Sequence, residues 1–435
     1  MARRGVTDGR RAAPADHADP RRCGCAGKTP LDRVVMPARE RIATRLATTR
    51  VTLGPDGDAA RLPGAASPVR RVEALPLDGR APEVPFASDD RDAPVVTLAC
   101  ALVGPAVADP DRFAATLGDV YAGLDGPRVT VGKGHAVQVP GAEPGMVWLE
   151  HLRRPDGSPA GSDGADGTTA ANVDAVHAFP VLEPHEQARV ATLNARNDLY
   201  AAGATRPVTV RPLVAAPGGD APAADRVAAW FREGAPADAT VLRPSVAAHG
   251  GEGWVVGASV DAAGAVADAL LPDPCAVVVT RPAGGLAAFA LGHLTGDDGL
   301  RERGRRALLA DTAAVADAVR AFRPTGDTPF DPAVHVARVT DASGEGIAGL
   351  GRLAAAAGRS FRLERLPVVD GVGAAAAGSW TLPDVTVETN GPLAVFAAPA
   401  VADRLLDRLA GVAGAAAERI GLLGGPSTGA TRRGR

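Results

Sequence analysis

Cys25 and Lys28 stand three residues apart in the turn-rich segment Cys23-Gly24-Cys25-Ala26-Gly27-Lys28-Thr29-Pro30. A thiol that close to an ammonium can be held as thiolate by the positive charge. It could then act as a nucleophile or carry a soft atom such as sulfur or selenium. A small metal clip and an incidental thiol pair remain open, although no second Cys/His pair lies at zinc-ligand spacing. Three aspartates form a second group of candidates. Asp58 lies in Gly57-Asp58-Ala59-Ala60, and Asp198 stands four residues after Asn194 on one predicted helix face. Asp341 closes an apolar stretch in Val339-Thr340-Asp341-Ala342-Ser343-Gly344. Carboxylates converging from distant loops can hold Mg²⁺ on a triphosphate, while any one of them alone is equally a cap or turn residue.

These residues need elements to position them. The spacing predicts a helix over 31–48 interrupted at Pro37, strands over 69–75 and 95–103, and a helix over 111–121. Residues 153–171 have a linker composition. Beyond them come a helix over 186–202 stopped by Gly203, a strand over 207–215, a helix over 223–233 and a strand over 254–260. A second domain starts near 266, with strands over 275–280, 334–340 and 393–398 and helices over 301–322, 346–357 and 401–412. Strands mixed with helices make the class α/β or α+β.

The chain has 435 residues, 46% of them hydrophobic and 22% charged, an ordinary globular balance. Bases number 47 against 50 acids, so no positive excess draws it to nucleic acid or anionic membrane. Only Lys28 and Lys133 are lysines. Lys133, in Val131-Gly132-Lys133-Gly134-His135, lacks P-loop spacing and reads as a surface hairpin. No apolar run reaches bilayer length and no secretory signal opens the chain. Four cysteines suit a reducing cytoplasm. His249 beside Gly250-Gly251 reads as a polar turn.

Five elements in order resemble the selenide, water dikinase (selenophosphate synthetase) family, of the aminoimidazole ribonucleotide synthetase-like superfamily. They are Cys25-Ala26-Gly27-Lys28, Gly57-Asp58-Ala59-Ala60, Leu193-Asn194-Ala195-Arg196-Asn197-Asp198-Leu199-Tyr200-Ala201-Ala202-Gly203, Thr340-Asp341-Ala342-Ser343-Gly344-Glu345-Gly346-Ile347 and Glu388-Thr389-Asn390-Gly391-Pro392-Leu393. The family's Thr-Thr-Asp strand end is missing, with His177 where its carboxylate is expected. Leu242-Arg243-Pro244-Ser245 replaces its Gly-Gly-His segment.

The resemblance implies a two-domain architecture: a flexible arm over 1–22, an N-terminal ATP-binding mixed-sheet domain over 23–265 interrupted by an insertion at 71–170, a C-terminal α+β domain over 266–425 and a disordered tail over 426–435. The insertion is expected to be peripheral, a small cap or lid. Within it, 109–122 loosely echoes 183–201, which makes Asp119 a rival of Asp198. The family reaction turns ATP, selenide and water into selenophosphate, AMP and phosphate. Cys25 would deliver selenium, and Lys28 would neutralise phosphate charge. Lys28, Asn194 and Thr340 would contact nucleotide, and Asp58, Asp198 and Asp341 would hold Mg²⁺. A cytoplasmic homodimer is implied, with no nucleic-acid or membrane partner. The alternatives are a diverged nucleotide-binding relative with little or no catalysis, and an ATP-dependent enzyme acting on another small molecule.

Overall fold

The computed structural model describes residues 14, 18–28, 52–53, 59–63, 69–77, 95–103, 129–142, 145–153, 168–205, 208–325, 328–379 and 387–426. Asp58, the helices expected over 31–48 and 111–121, Asp119, most of the arm and the tail beyond Pro426 lie outside them. Three sheets organise the rest.

The first sheet contains β1 (Thr52–Leu53), β3 (Val69–Leu77), β4 (Val95–Val103), β5 (Val129–Gln138) and β6 (Gly145–Arg153), in the order β1-β5-β4-β6-β3. Lys133 therefore lies inside a strand, not in a hairpin turn. The second sheet contains β2 (Ala60–Pro63), β7 (Thr168–His177), β8 (Val208–Pro217), β10 (Ser245–His249) and β11 (Val255–Ala263), in the order β10-β8-β11-β7-β2. The short β9 (Ala239–Val241) pairs with β8 beside that path. The end of the expected linker is thus strand: β7 starts at Thr168 and is buried along nearly its whole length.

The two sheets pack face to face. Cys100, Leu102, Val137, Met146 and Trp148 of the first share one apolar core with Ala171, Val173, Ala175, Leu213 and Val255 of the second. Ser259 Oγ donates to the buried Glu150 Oε2 across the same interface. The other face of the second sheet is covered by α1 (Pro184–Ala201) and α2 (Ala224–Gly234), through Ala191, Ala195, Leu199, Val227 and Phe231. A capping box starts α1: Glu183 N–H donates to Glu186 Oε2 at 3.0 Å. Gly203 ends it with φ 83°, a left-handed backbone that favours glycine.

The third sheet orders β13 (Arg338–Asp341), β15 (Leu393–Ala397), β12 (Cys275–Val279), β16 (Glu418–Pro426) and β14 (Arg359–Leu363). Around it lie α3 (Gly285–Thr295), α4 (Asp298–Leu308), α5 (Ala313–Arg320), α6 (Gly346–Ala356), α7 (Val372–Ser379) and α8 (Pro399–Leu409). The single helix expected over 301–322 is two. Side chains from elsewhere capture the carbonyls at the break: Arg189 Nε donates to Leu309 O at 2.9 Å, and Asn390 Nδ2 donates to Leu308 O at 2.8 Å and Ala310 O at 3.0 Å. Tyr200 and Ala201 of α1 enter the core of the third sheet with Val278, Val395 and Leu405. That double contact explains why α1 is buried on all sides and carries polar residues inward. No helix among the described residues is long and apolar enough to cross a membrane.

Candidate functional site

The polar residues of α1 meet three other elements at the junction of the second and third sheets. The first is residues 23–28, where a short 3-10 turn over Cys25–Gly27 lies between the paired sheets. Gly24 bridges His177 of β7 and Lys28 bridges Val137 of β5, so this segment stitches the two sheets together. Gly24 has φ 61°, and a Cβ there would sit 2.4 Å from Thr389 Oγ1 and 2.8 Å from Phe179 Cζ. Only glycine fits so close a passage.

Lys28 Nζ contacts both oxygens of Asp174, at 2.5 and 2.8 Å. Asp174 Oδ2 also accepts Asn194 Nδ2 at 2.7 Å. Asn194 Oδ1 accepts the Asn390 backbone N–H at 2.8 Å and lies 3.8 Å from Cys25 Sγ. Cys25 N–H donates to Thr389 Oγ1 at 2.8 Å. Next on the helix, Asn197 Nδ2 donates to Asn390 Oδ1 at 3.0 Å and Gly391 O at 3.1 Å, and its Oδ1 accepts Thr312 Oγ1 at 2.8 Å. Asp198 Oδ2 accepts Asn172 Nδ2 at 2.5 Å. Asp341 Oδ1 accepts Ser343 Oγ at 3.0 Å, and Ser343 in turn accepts Gly391 N–H at 2.8 Å.

Cys25 thus meets Asn194 directly, and Lys28 joins Asn194 through Asp174. Asp198 is held by Asn172, two residues before Asp174 on β7, and Asp341 by Ser343, which also receives Gly391 N–H. Thr340 is buried on β13, beside Asp341. Among the described residues, no group of three or more His, Cys, Asp or Glu side chains could hold a metal ion.

The electrostatics differ from the thiolate expectation. Burial works against the Lys28 charge, but the Asp174 carboxylate outweighs it and holds the ammonium above its ordinary range. Burial pushes the Cys25 thiol up, with Lys28 pulling the other way. Burial thus works against a thiolate here, and the ammonium that favours one is shared with the Asp174 carboxylate, which disfavours it.

Sequence reasoning missed Asp174. The carboxylate of this strand stands three residues before His177, where it had been sought. His177 instead faces the first sheet, its Nε2 2.5 Å from Gln138 O, and burial lowers its pKa. The available signal was Asn172 and Asp174, two polar residues at period two in an otherwise apolar strand. Also missed were Arg281 and Glu388. Arg281 Nη1 donates to Ala307 O at 2.8 Å, and its Nη2 donates to the carbonyls of Asn390 and Gly391. Glu388 accepts the N–H groups of Gly284, Gly285 and Leu286 at the start of α3, at 2.5, 3.0 and 2.8 Å. His249 is buried at the end of β10, its Nδ1 accepting Gly251 N–H at 3.1 Å.

No family model matches this chain, and no curated protein does. Solved structures share part of its architecture. A HypE–HypF complex aligns over 59% of this chain and 84% of that one, at 14% identity and a TM-score of 0.46. Thiamine-monophosphate kinase from Stenotrophomonas maltophilia K279a aligns over 61% and 88%, at 17% identity and a TM-score of 0.44. The hydrogenase maturation protein HypE in complex with ATP aligns over 61% and 78%, at 16% identity and a TM-score of 0.42. Likeness at that level says nothing about activity.

Proposed function

We propose that this protein is an ATP-dependent phosphotransferase of the selenide, water dikinase type, with the aminoimidazole ribonucleotide synthetase-like architecture. One observation carries the reading. Four segments that resemble the family motifs, distant in sequence, converge on one buried network: Cys25-x-x-Lys28, the Asn194–Asp198 face of α1, Asp341 to Ser343, and Thr389 to Gly391. Unrelated polar residues rarely converge in a core, because each buried polar group must find a partner.

In this reading ATP and water supply the phosphoryl chemistry, and selenide becomes selenophosphate with AMP and phosphate released. Lys28 neutralises phosphate charge once a nucleotide competes with Asp174 for it. Cys25 guards or delivers the selenium. Asn194 and Thr340 orient the nucleotide. Asp198 and Asp341, with Asp58, offer the carboxylate oxygen that Mg²⁺ takes, and the ion would add charge neutralisation on the phosphates. Catalysis of this kind is mainly positioning and charge compensation.

A second reading, a nucleotide-binding relative with little or no turnover or with another small-molecule substrate, is favoured by the satisfied Lys28–Asp174 pair and the buried thiol. An assay of ATP consumption with and without selenide, with product identification, decides between them. AMP and selenophosphate formed only with selenide support the first reading. Nucleotide binding without selenide-dependent AMP rules it out.

A further inference from the structure

The first two sheets are built on one plan. In each, four strands taken in chain order stand in space as third, second, fourth, first: β5-β4-β6-β3 in one and β10-β8-β11-β7 in the other. The senses agree as well. The second strand is parallel to the third (β4 with β5, β8 with β10) and antiparallel to the fourth, which is antiparallel to the first.

The register agrees to the residue. Val95, Val96 and Thr97 pair with Val129, Thr130 and Val131, after which the pairing slips by one, so that Cys100 meets His135. Val208, Thr209 and Val210 pair with Ala239, Thr240 and Val241, and the same one-residue slip brings Leu213 to Ser245. The sequence echoes this in the connections that follow. Asp111-Arg112-Phe113-Ala114-Ala115 begins sixteen residues past Val95, and Asp225-Arg226-Val227-Ala228-Ala229 begins seventeen past its counterpart Val208. This register overrides the expected echo of 109–122 with 183–201: Asp119 falls in the connection equivalent to 218–244 and is no counterpart of Asp198.

The two copies also meet reciprocally. β5 packs on β7, and its counterpart β10 packs on β3, the counterpart of β7. The equivalent turns Pro140-Gly141 and Gly250-Gly251 touch: Glu252 N–H donates to Pro140 O at 2.7 Å, and a Cβ on Gly251 would lie 2.4 Å from that oxygen. Contacts in which i meets j and j meets i are the signature of a two-fold interface between identical subunits.

The copies are not equivalent in chemistry. Between β7 and β8 the second has room for α1 with Asn194, Asn197 and Asp198. Between β3 and β4 the first has residues 78–94, whose sequence holds no counterpart of the Asn194, Asn197 and Asp198 pattern.

We propose that residues 69–153 are a diverged internal copy of residues 168–263 that takes the place of a second subunit. The protein is then a monomer with its site on the second copy. The location of that site rests on the functional reading above; the duplication does not. The first copy is no peripheral cap, since its Val137 bridges Lys28 and its Gln138 carbonyl meets His177.

Light scattering on the full chain should give one species of 43.9 kDa over a wide concentration range. A stable species of twice that mass overturns the proposal. A specific protease site placed within residues 156–166 then allows the chain to be cut between the copies. The two fragments should stay together at the uncut mass on a native column and part only in denaturant. Separation in native buffer shows that the sheet interface does not behave as a subunit interface and also overturns it.

Discussion

Replacing Asp174 by Asn removes the one carboxylate that both clamps Lys28 and fixes Asn194. The side chains of Lys28 and Asp174 are 12% and 4% exposed, so solvent cannot take over the ammonium. Breaking a buried pair by removing one partner costs about 3–5 kcal/mol, because the remaining charge is left uncompensated. The melting temperature should fall on the order of 10 °C. The pH dependence separates this cause from a packing defect. In the wild type Asp174 raises the Lys28 pKa above its ordinary 10.5, so the contribution is fully present below 10.5 and is lost only as pH rises through the folded value. In Asp174→Asn the largest influence opposing burial is gone, and the folded pKa should drop below 10.5. The unfolded chain then binds the extra proton, and stability rises with pH. The deficit should therefore narrow between neutral pH and about 10, measured by thermal melts in matched buffers. Lys28→Met and the double variant complete the cycle, with an expected coupling of roughly 2 kcal/mol or more. A constant deficit across pH, together with additive single effects, would refute the clamp.

Cys25→Ser should abolish selenide-dependent turnover, whereas Cys23→Ser, whose thiol donates to Pro20 O rather than facing Asn194, should retain most of it; the reverse order in a product assay defeats the assignment. Mg²⁺ with ATP should raise the melting temperature, since a ligand bound only by the folded state stabilises it by about 1.4 kcal/mol per tenfold excess over Kd, and Asp198→Asn and Asp341→Asn should lose that rise while keeping folded apo forms by circular dichroism. Burial depresses the His177 pKa below its ordinary 6.5, so its contribution is intact above about 6.5 and drains away as pH falls towards the folded value, at up to about 1.4 kcal/mol per pH unit. Acid melts of His177→Gln should be flatter than wild type; equal slopes discount this histidine.

The elements that stand on their own periodicity were legible from sequence. Val95 to Val103 is strand as expected, and the helix at 186–202 needed only a shift to Pro184–Ala201, because a capping box and Gly203 mark its ends locally. Cys25, Lys28 and Asn194 were recognisable by residue type and spacing. Their meeting was not, since it depends on a segment threaded between two sheets. Asp174 was hidden because no local rule tells a strand aspartate which lysine it will face 146 residues away. The same limit explains the helix broken at Leu309, where Arg189 and Asn390 take carbonyls that a continuous helix would have satisfied itself. It also explains why the first sheet looked like an insertion: its kinship with the second lies in strand order and register, which only pairing partners distant in the chain can express. Local chemistry decided which residues could act, and long-range burial decided which of them face one another and in what charge state.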